Sequence, residues 1–172
     1  MIDADDMHIK VASAVRKIVP LLRHCQAMNI TVAETDKGRL VLALPYQQQL
    51  VGNPDTGVIH GGALTTLLDT ACGFAALLAM EKPNACPTLD LRIDYMRPAK
   101  PGETILGEAE VYRLSNTIVF TRAVAYHEGE KNEPIAHCTA SFMRLKMYDT
   151  LPMEEFLHHM VAYYQNTVTT GG

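Results

Sequence analysis

The chain has 172 residues, 48% of them hydrophobic, and a formal net charge of −4. That length supports one domain with a sizeable core, and a mildly acidic, mixed charge offers no basic field for nucleic acid. Four scattered cysteines (Cys25, Cys72, Cys86, Cys138) without a C-x-x-C pair argue against a thiolate zinc site, and no metal is expected.

The opening MIDADDMHIK lacks the basic and apolar regions of a secretory signal, so a reducing cytoplasm with free, buried thiols is expected. Residues 5–22 read as an amphipathic helix carrying Val11, Val15, Ile18 and Leu22 on one stripe, with Pro20 ending or kinking it. Two short strands follow, at residues 30–34 and 39–44, joined by Thr35-Asp36-Lys37-Gly38 as a hairpin-like turn. Residues 45–57 are polar and read as a loop marked by Asn53-Pro54-Asp55 and Gly57.

From Ala63 to Met80 the chain is almost wholly apolar or small, apart from Asp69 and three threonines. The flanks offer no aromatic belt and no basic cluster, so a buried helix is expected rather than a membrane span. Lys82-Pro83-Asn84 is its expected stop. The pattern then changes to period two. Leu89, Leu91, Ile93 and Tyr95 alternate with Asp90, Arg92 and Asp94, which predicts a strand with one buried and one wet face. Residues 104–113, 117–126 and 135–145 are further strands. Hairpin-length connections, with Asn116 and Thr117 in one, predict that all four are antiparallel and sequential. Residues 152–164 form a last helix with Met153, Phe156, Leu157, Met160 and Tyr164 as its apolar stripe, and the tail from Thr167 is expected to be loose. The sum is α+β: a curved antiparallel sheet around one long central helix.

A carboxylate amid apolar residues costs several kcal/mol unless it is partnered. Thr65, Thr66 and Thr70 are local hydroxyls that could serve Asp69. Desolvation would push its pKa upward unless donors hold the charged form, and such a group in a cleft points to a site. His60-Gly61-Gly62 stands just before the helix. Free N–H groups at a helix start can hold the oxygen of a polarised carbonyl, and glycine permits close approach. His60 and Asp69 lie nine residues apart, about 13 Å along one helix. One chain cannot join them, but a two-fold dimer can bring one helix start to the middle of its neighbour. Cys72, one turn from Asp69, has no histidine at a local spacing to activate it and reads as packing. His158 and His159 point apart on a helix and read as a solvated face.

These pieces together resemble the hot-dog-fold acyl-CoA thioesterases, most closely the PaaI-like branch. The resemblance rests on Asn53, Gly57-Val58-Ile59-His60-Gly61-Gly62, Leu68-Asp69, and Thr88-Leu89-Asp90-Leu91-Arg92-Ile93-Asp94-Tyr95 with Arg97-Pro98-Ala99 and Gly102. It covers roughly residues 30–146, leaving helical extensions at 1–24 and 150–166 and a tail to 172. It implies one hot-dog domain that hydrolyses an acyl-CoA to free acid and CoA without cofactor or metal. In that reading Asp69 activates water, or attacks the thioester itself. The Gly61 N–H of the partner subunit polarises the carbonyl, and His60 and Asn53 orient the carbonyl or the water. Gly62 completes the helix start, Thr88 stands near the water, and Arg97, with Lys100, could meet the CoA phosphates. The implied assembly is a homodimer with shared sites, as a tetramer of two dimers. A non-catalytic acyl-CoA sensor and a hot-dog acyl-thioester dehydratase are the alternatives; a sensor has no use for the acid, and a dehydratase would want a different helix motif.

Overall fold

The computed structural model describes residues 4–81, 85–145 and 152–169. Helix α1 (Ala4–Ile18) buries Val11, Val15 and Ile18, the expected stripe. It stops earlier than predicted, because Pro20 falls in a 3₁₀ turn at Val19–Leu21. A short helix α2 (Arg23–Ala27), unmarked in the sequence pattern, follows and buries Cys25. Strands β1 (Thr31–Asp36) and β2 (Arg39–Leu44) form the predicted hairpin, with Gly38 at a φ of +68° in the turn.

The expected loop at 45–57 carries more structure than its polarity suggested. A 3₁₀ turn at Gln48–Leu50 leads into a small ribbon of β3 (Val51–Asn53) and β4 (Val58–Ile59). These strands are too short for a periodic signal. Helix α3 (Gly61–Leu78) then runs through the centre, burying Leu64, Leu67, Leu68, Ala71, Cys72 and Ala75. It has the length and hydropathy of a membrane span, but the sheet covers it, and each fully buried leucine contributes about 1.5–3 kcal/mol. It ends at Ala79 without a glycine cap; the predicted stop at Lys82-Pro83-Asn84 lies outside the described residues.

After α3 come β5 (Thr88–Tyr95), β6 (Ile105–Leu114), β7 (Ile118–Tyr126) and β8 (Ala136–Met143). The six-stranded antiparallel sheet has the order β1-β2-β6-β7-β8-β5. The expectation of four sequential neighbours therefore fails at one joint. The link from β5 to β6 is not a hairpin; β6 pairs with β2, and β5 pairs with β8 at the sheet edge. Loop length alone could not reveal this, since a curved sheet brings its two ends close in space. The edge position also overturns the expected faces of β5: Leu91 and Ile93 are half-buried, whereas Leu89 and Tyr95 stand 49% and 54% exposed.

Helix α3 packs against strands β2, β6, β7, β8 and β5, so the sheet wraps it. The approach is close at Gly107 on β6, where a Cβ would lie 2.8 Å from Leu67 Cγ. Alternate β6 residues turn to the other face, and there Glu108 accepts from Arg39 Nε and Tyr126 Oη, both at 2.8 Å, and pairs with Lys131. Burial pushes the Glu108 carboxyl upward, but the bonds from Arg39, Lys131 and Tyr126 outweigh it and hold the pKa at about 2. Buried His127 accepts from the Lys100 N–H at 2.9 Å and donates from Nδ1 to the Thr104 carbonyl, tying two loops together.

Helix α4 (Met153–Thr169) extends beyond the predicted end at 164, so the chain through Thr169 is helical rather than loose. Phe156 and Leu157 are buried, and α4 packs against α1. The two extensions thus meet over the central fold.

Candidate active site

His60 is the N-cap of α3. Its Nδ1 accepts from the Gly62 N–H at 2.9 Å, and its own N–H donates to the Leu50 carbonyl at 2.8 Å. Gly62 is therefore engaged in capping. Gly61 is the first helical residue, so its N–H has no carbonyl of its own helix to reach. Close above it, the Tyr95 hydroxyl donates to the Gly61 carbonyl at 3.0 Å and lies 3.1 Å from Thr65 Oγ1. A residue that sequence reasoning passed over is Gly52: a Cβ there would lie 2.9 Å from both Cα and Cβ of His60. Strand β3 can back onto the cap only because this position has no side chain.

Asp69 sits two and a half turns further along α3. It is half-buried, not sealed, because the covering sheet ends at β5 beside it. The local hydroxyls expected to serve it do not. Thr65 and Thr66 bond back to the carbonyls of Gly61 and Gly62, each at 3.2 Å, and Thr70 meets Cys25 Sγ at 3.9 Å. The partner is Thr88 at the start of β5, whose Oγ1 donates to Asp69 Oδ1 at 3.0 Å.

Asp69 and Thr88 stand where two clefts meet. One, of about 1130 Å³, runs between α3 and α4 and is largely apolar. The other, about 610 Å³, lies toward α2, with Thr65, Thr66 and Leu91 on its lining. Cys72, although one turn from Asp69, faces the core. A thiol–thiol hydrogen bond with Cys138, then burial, holds its thiol well above the ordinary range, an inert state for a nucleophile.

Two other candidates are engaged elsewhere. Asn53 Oδ1 accepts from the Asp55 N–H at 3.0 Å, and its main-chain carbonyl accepts from the Gly57 N–H at 2.9 Å. Its side chain thus shapes the β3–β4 turn. Arg97 donates from Nε to the Glu133 carbonyl at 2.9 Å and from Nη2 to Glu130 at 2.8 Å, and Lys100 pairs with the same Glu130. The Lys100 ammonium, then the Arg97 guanidinium, hold the Glu130 carboxyl below its ordinary range.

Comparison with known proteins bears on the family and the fold. The profile of the thioesterase superfamily matches residues 56–133, the span from the ribbon through β7. A crystal structure of a protein from Pseudomonas aeruginosa is 46% identical, with a TM-score of 0.70 over 78% of this chain and 99% of that one. A thioesterase family protein from Silicibacter pomeroyi is 31% identical, with a TM-score of 0.70 over 78% and 98%. The medium/long-chain acyl-CoA thioesterase YigI of Escherichia coli is 26% identical over 131 residues, which is 69% of this chain and 83% of that protein. With a helix capped by His-Gly-Gly inside an antiparallel sheet, an acid opening onto a cleft, and 26% identity to a phenylacetic acid degradation protein PaaI from Thermus thermophilus (TM-score 0.62 over 70% of this chain and 97% of that one), the chain belongs to the thioesterase superfamily as a hot-dog thioesterase of the PaaI type.

Proposed function

We propose that the protein hydrolyses acyl-CoA to the free acid and CoA, at sites shared between two copies of the chain. The observation that carries this reading is the Asp69 carboxylate, held by Thr88 at 3.0 Å and open to an apolar cleft of about 1130 Å³. A thioester has weak resonance stabilisation, so one base and one oxyanion donor are enough. Asp69 takes a proton from water as the oxygen attacks the carbonyl carbon. The carbonyl oxygen gathers charge against the Gly61 N–H of the second copy. The tetrahedral intermediate then collapses, the C–S bond breaks and CoA leaves as the thiol, the proton returning from Asp69. His60 keeps Gly61 in place through its cap, and Asn53 shapes the loop before it.

A shared site fits the open edge of the sheet. β5 has a partner on one side only among the described residues, and it exposes Leu89, Tyr95 and, just beyond, Met96. An unpaired strand with exposed apolar side chains is a template for a second strand. Pairing β5 with its copy would carry each α3 start toward the other Asp69. The relative named for acyl-CoA chemistry supports the substrate class. A CoA phosphate approaching Arg97 or Lys100 would compete with Glu130. None of the four cysteines is in a disulfide.

The test is Asp69→Ala. It should fold, bind acyl-CoA and lose about 10²–10⁴-fold in kcat. Near-wild-type kcat on the best substrate would refute the mechanism.

A further inference from the structure

We propose that α4 forms one wall of an acyl channel, so that the site takes medium to long straight-chain acyl groups and the α4 side chains set their length. This rests on the hydrolysis reading above and goes further, to the part of the substrate that determines selectivity.

The floor of the cleft is α3. Asp69, Gly73 and Leu77 are four residues apart and share one face of the helix, lining the cleft in that order. The opposite wall repeats this spacing on α4, with Phe156, Met160 and Tyr164. Each row spans about 12 Å, which matches an extended chain of roughly nine or ten carbons. Gly73 keeps the passage open just beyond the acid; a Cβ there would already touch the Phe142 ring at 3.4 Å. The wall is anchored, since Phe156 and Leu157 are only 4% exposed and α1 packs behind the helix.

The chemistry of the lining selects the occupant. Among the described residues the only carboxylate on it is Asp69, at one end, and its only basic side chain is His159, which is exposed. A CoA phosphate finds no cation inside, whereas an alkyl chain finds leucine, phenylalanine and methionine. The channel therefore takes the acyl group and leaves the second cleft, with Thr65 and Thr66, to the thioester side. A single aromatic ring beside Asp69 would not reach along the row of about 12 Å to Leu77.

The experiment measures kcat/KM for straight-chain acyl-CoAs from four to sixteen carbons and for phenylacetyl-CoA. Wild type should gain about two- to fourfold per added methylene up to about ten carbons, then level off. Met160→Trp should lower the dodecanoyl-to-butanoyl ratio at least tenfold, and Met160→Ala should move the optimum to longer chains. Gly73→Val provides a second obstruction on the other helix. Melting curves establish that each variant is folded. In parallel, calorimetry measures the binding of non-hydrolysable S-alkyl-CoA thioethers of the same lengths to wild type and Met160→Trp. If no acyl-CoA is hydrolysed, the hydrolysis reading fails and the thioether series still decides the channel. An unchanged length profile in the folded obstructed variants, or preference for phenylacetyl-CoA, overturns the proposal. Asp69→Ala should lose turnover at every length and keep the thioether profile.

Discussion

Gly52 and His60 are in contact so close that a single methyl group on Gly52 would overlap the histidine main chain, at 2.9 Å from its Cα. The backbone of β3 is thereby the rear support of the helix cap. Gly52→Ala should displace His60 and the Gly61 N–H behind it, at a stability cost of about 1–3 kcal/mol. Steady-state kinetics should show kcat falling more than the melting temperature alone explains. An alanine variant with wild-type turnover would remove the ribbon from the catalytic argument.

Thr88 is exposed and bonds Asp69 from a neighbouring element. Thr88→Val keeps the shape and deletes the donor. Stability should change by no more than about 0.5 kcal/mol, as for most surface positions. Turnover should fall about tenfold or more, since the carboxylate loses the bond that orients it. A Thr88→Ser variant should recover most of the loss. Equal losses in both variants would show that the hydroxyl is not the active part.

Proline at Gly61 suits the helix start, although its Cβ would lie 3.1 Å from the Tyr95 hydroxyl, so that side chain must shift by a few tenths of an ångström. Proline is accepted at the first helical position, and His60, at φ −63° and ψ 137°, already has the extended backbone that a following proline requires. Gly61→Pro removes the proposed oxyanion donor and should cost about 10²–10³-fold in kcat with the fold retained. Mixing it with Asp69→Ala subunits under exchange conditions tests sharing directly. Each hybrid dimer would hold one intact site, so random mixing should restore about a quarter of wild-type activity. No recovery after verified exchange would place both groups in one chain.

Glu108 links pH to stability. Its folded pKa of about 2 lies below the ordinary 4.5, so the folded state binds this proton less readily than the unfolded chain. The contribution is complete above pH 4.5 and is lost as pH falls through about 2. Glu108→Gln should be less stable than wild type at neutral pH, and its melting temperature should fall less steeply over that acid window. Parallel curves for the two proteins would show that the network contributes nothing measurable.

Much of the fold was legible because long elements leave periodic traces. The stripe of α1, the apolar run of α3, the β1–β2 hairpin and the strand identities of β5 to β8 all appear in the residue pattern. What escaped was long-range. Nothing local in residues 88–95 says that their neighbour is β8 rather than β6, and the same ignorance made Leu89 and Tyr95 look buried. The residues of the proposed site stood out in part, because His60-Gly61-Gly62 and Asp69 each break a local rule: glycines open a helix, and an acid interrupts an apolar run. Thr88 entered by family likeness, not by any property of its own. Gly52 carried no signal, since a glycine in a polar stretch is unremarkable until the backbone it touches is known.

The contact between Leu67 and Gly107 has a reach beyond packing. Successive residues of a helix are turned by about 100°, so Leu67 and Asp69 point to nearly opposite sides of α3. The leucine seated in the glycine notch works as a key that sets the roll of the whole rod, and with it the bearing of the acid on the far side. Filling the notch would re-aim a carboxylate that the substitution never touches.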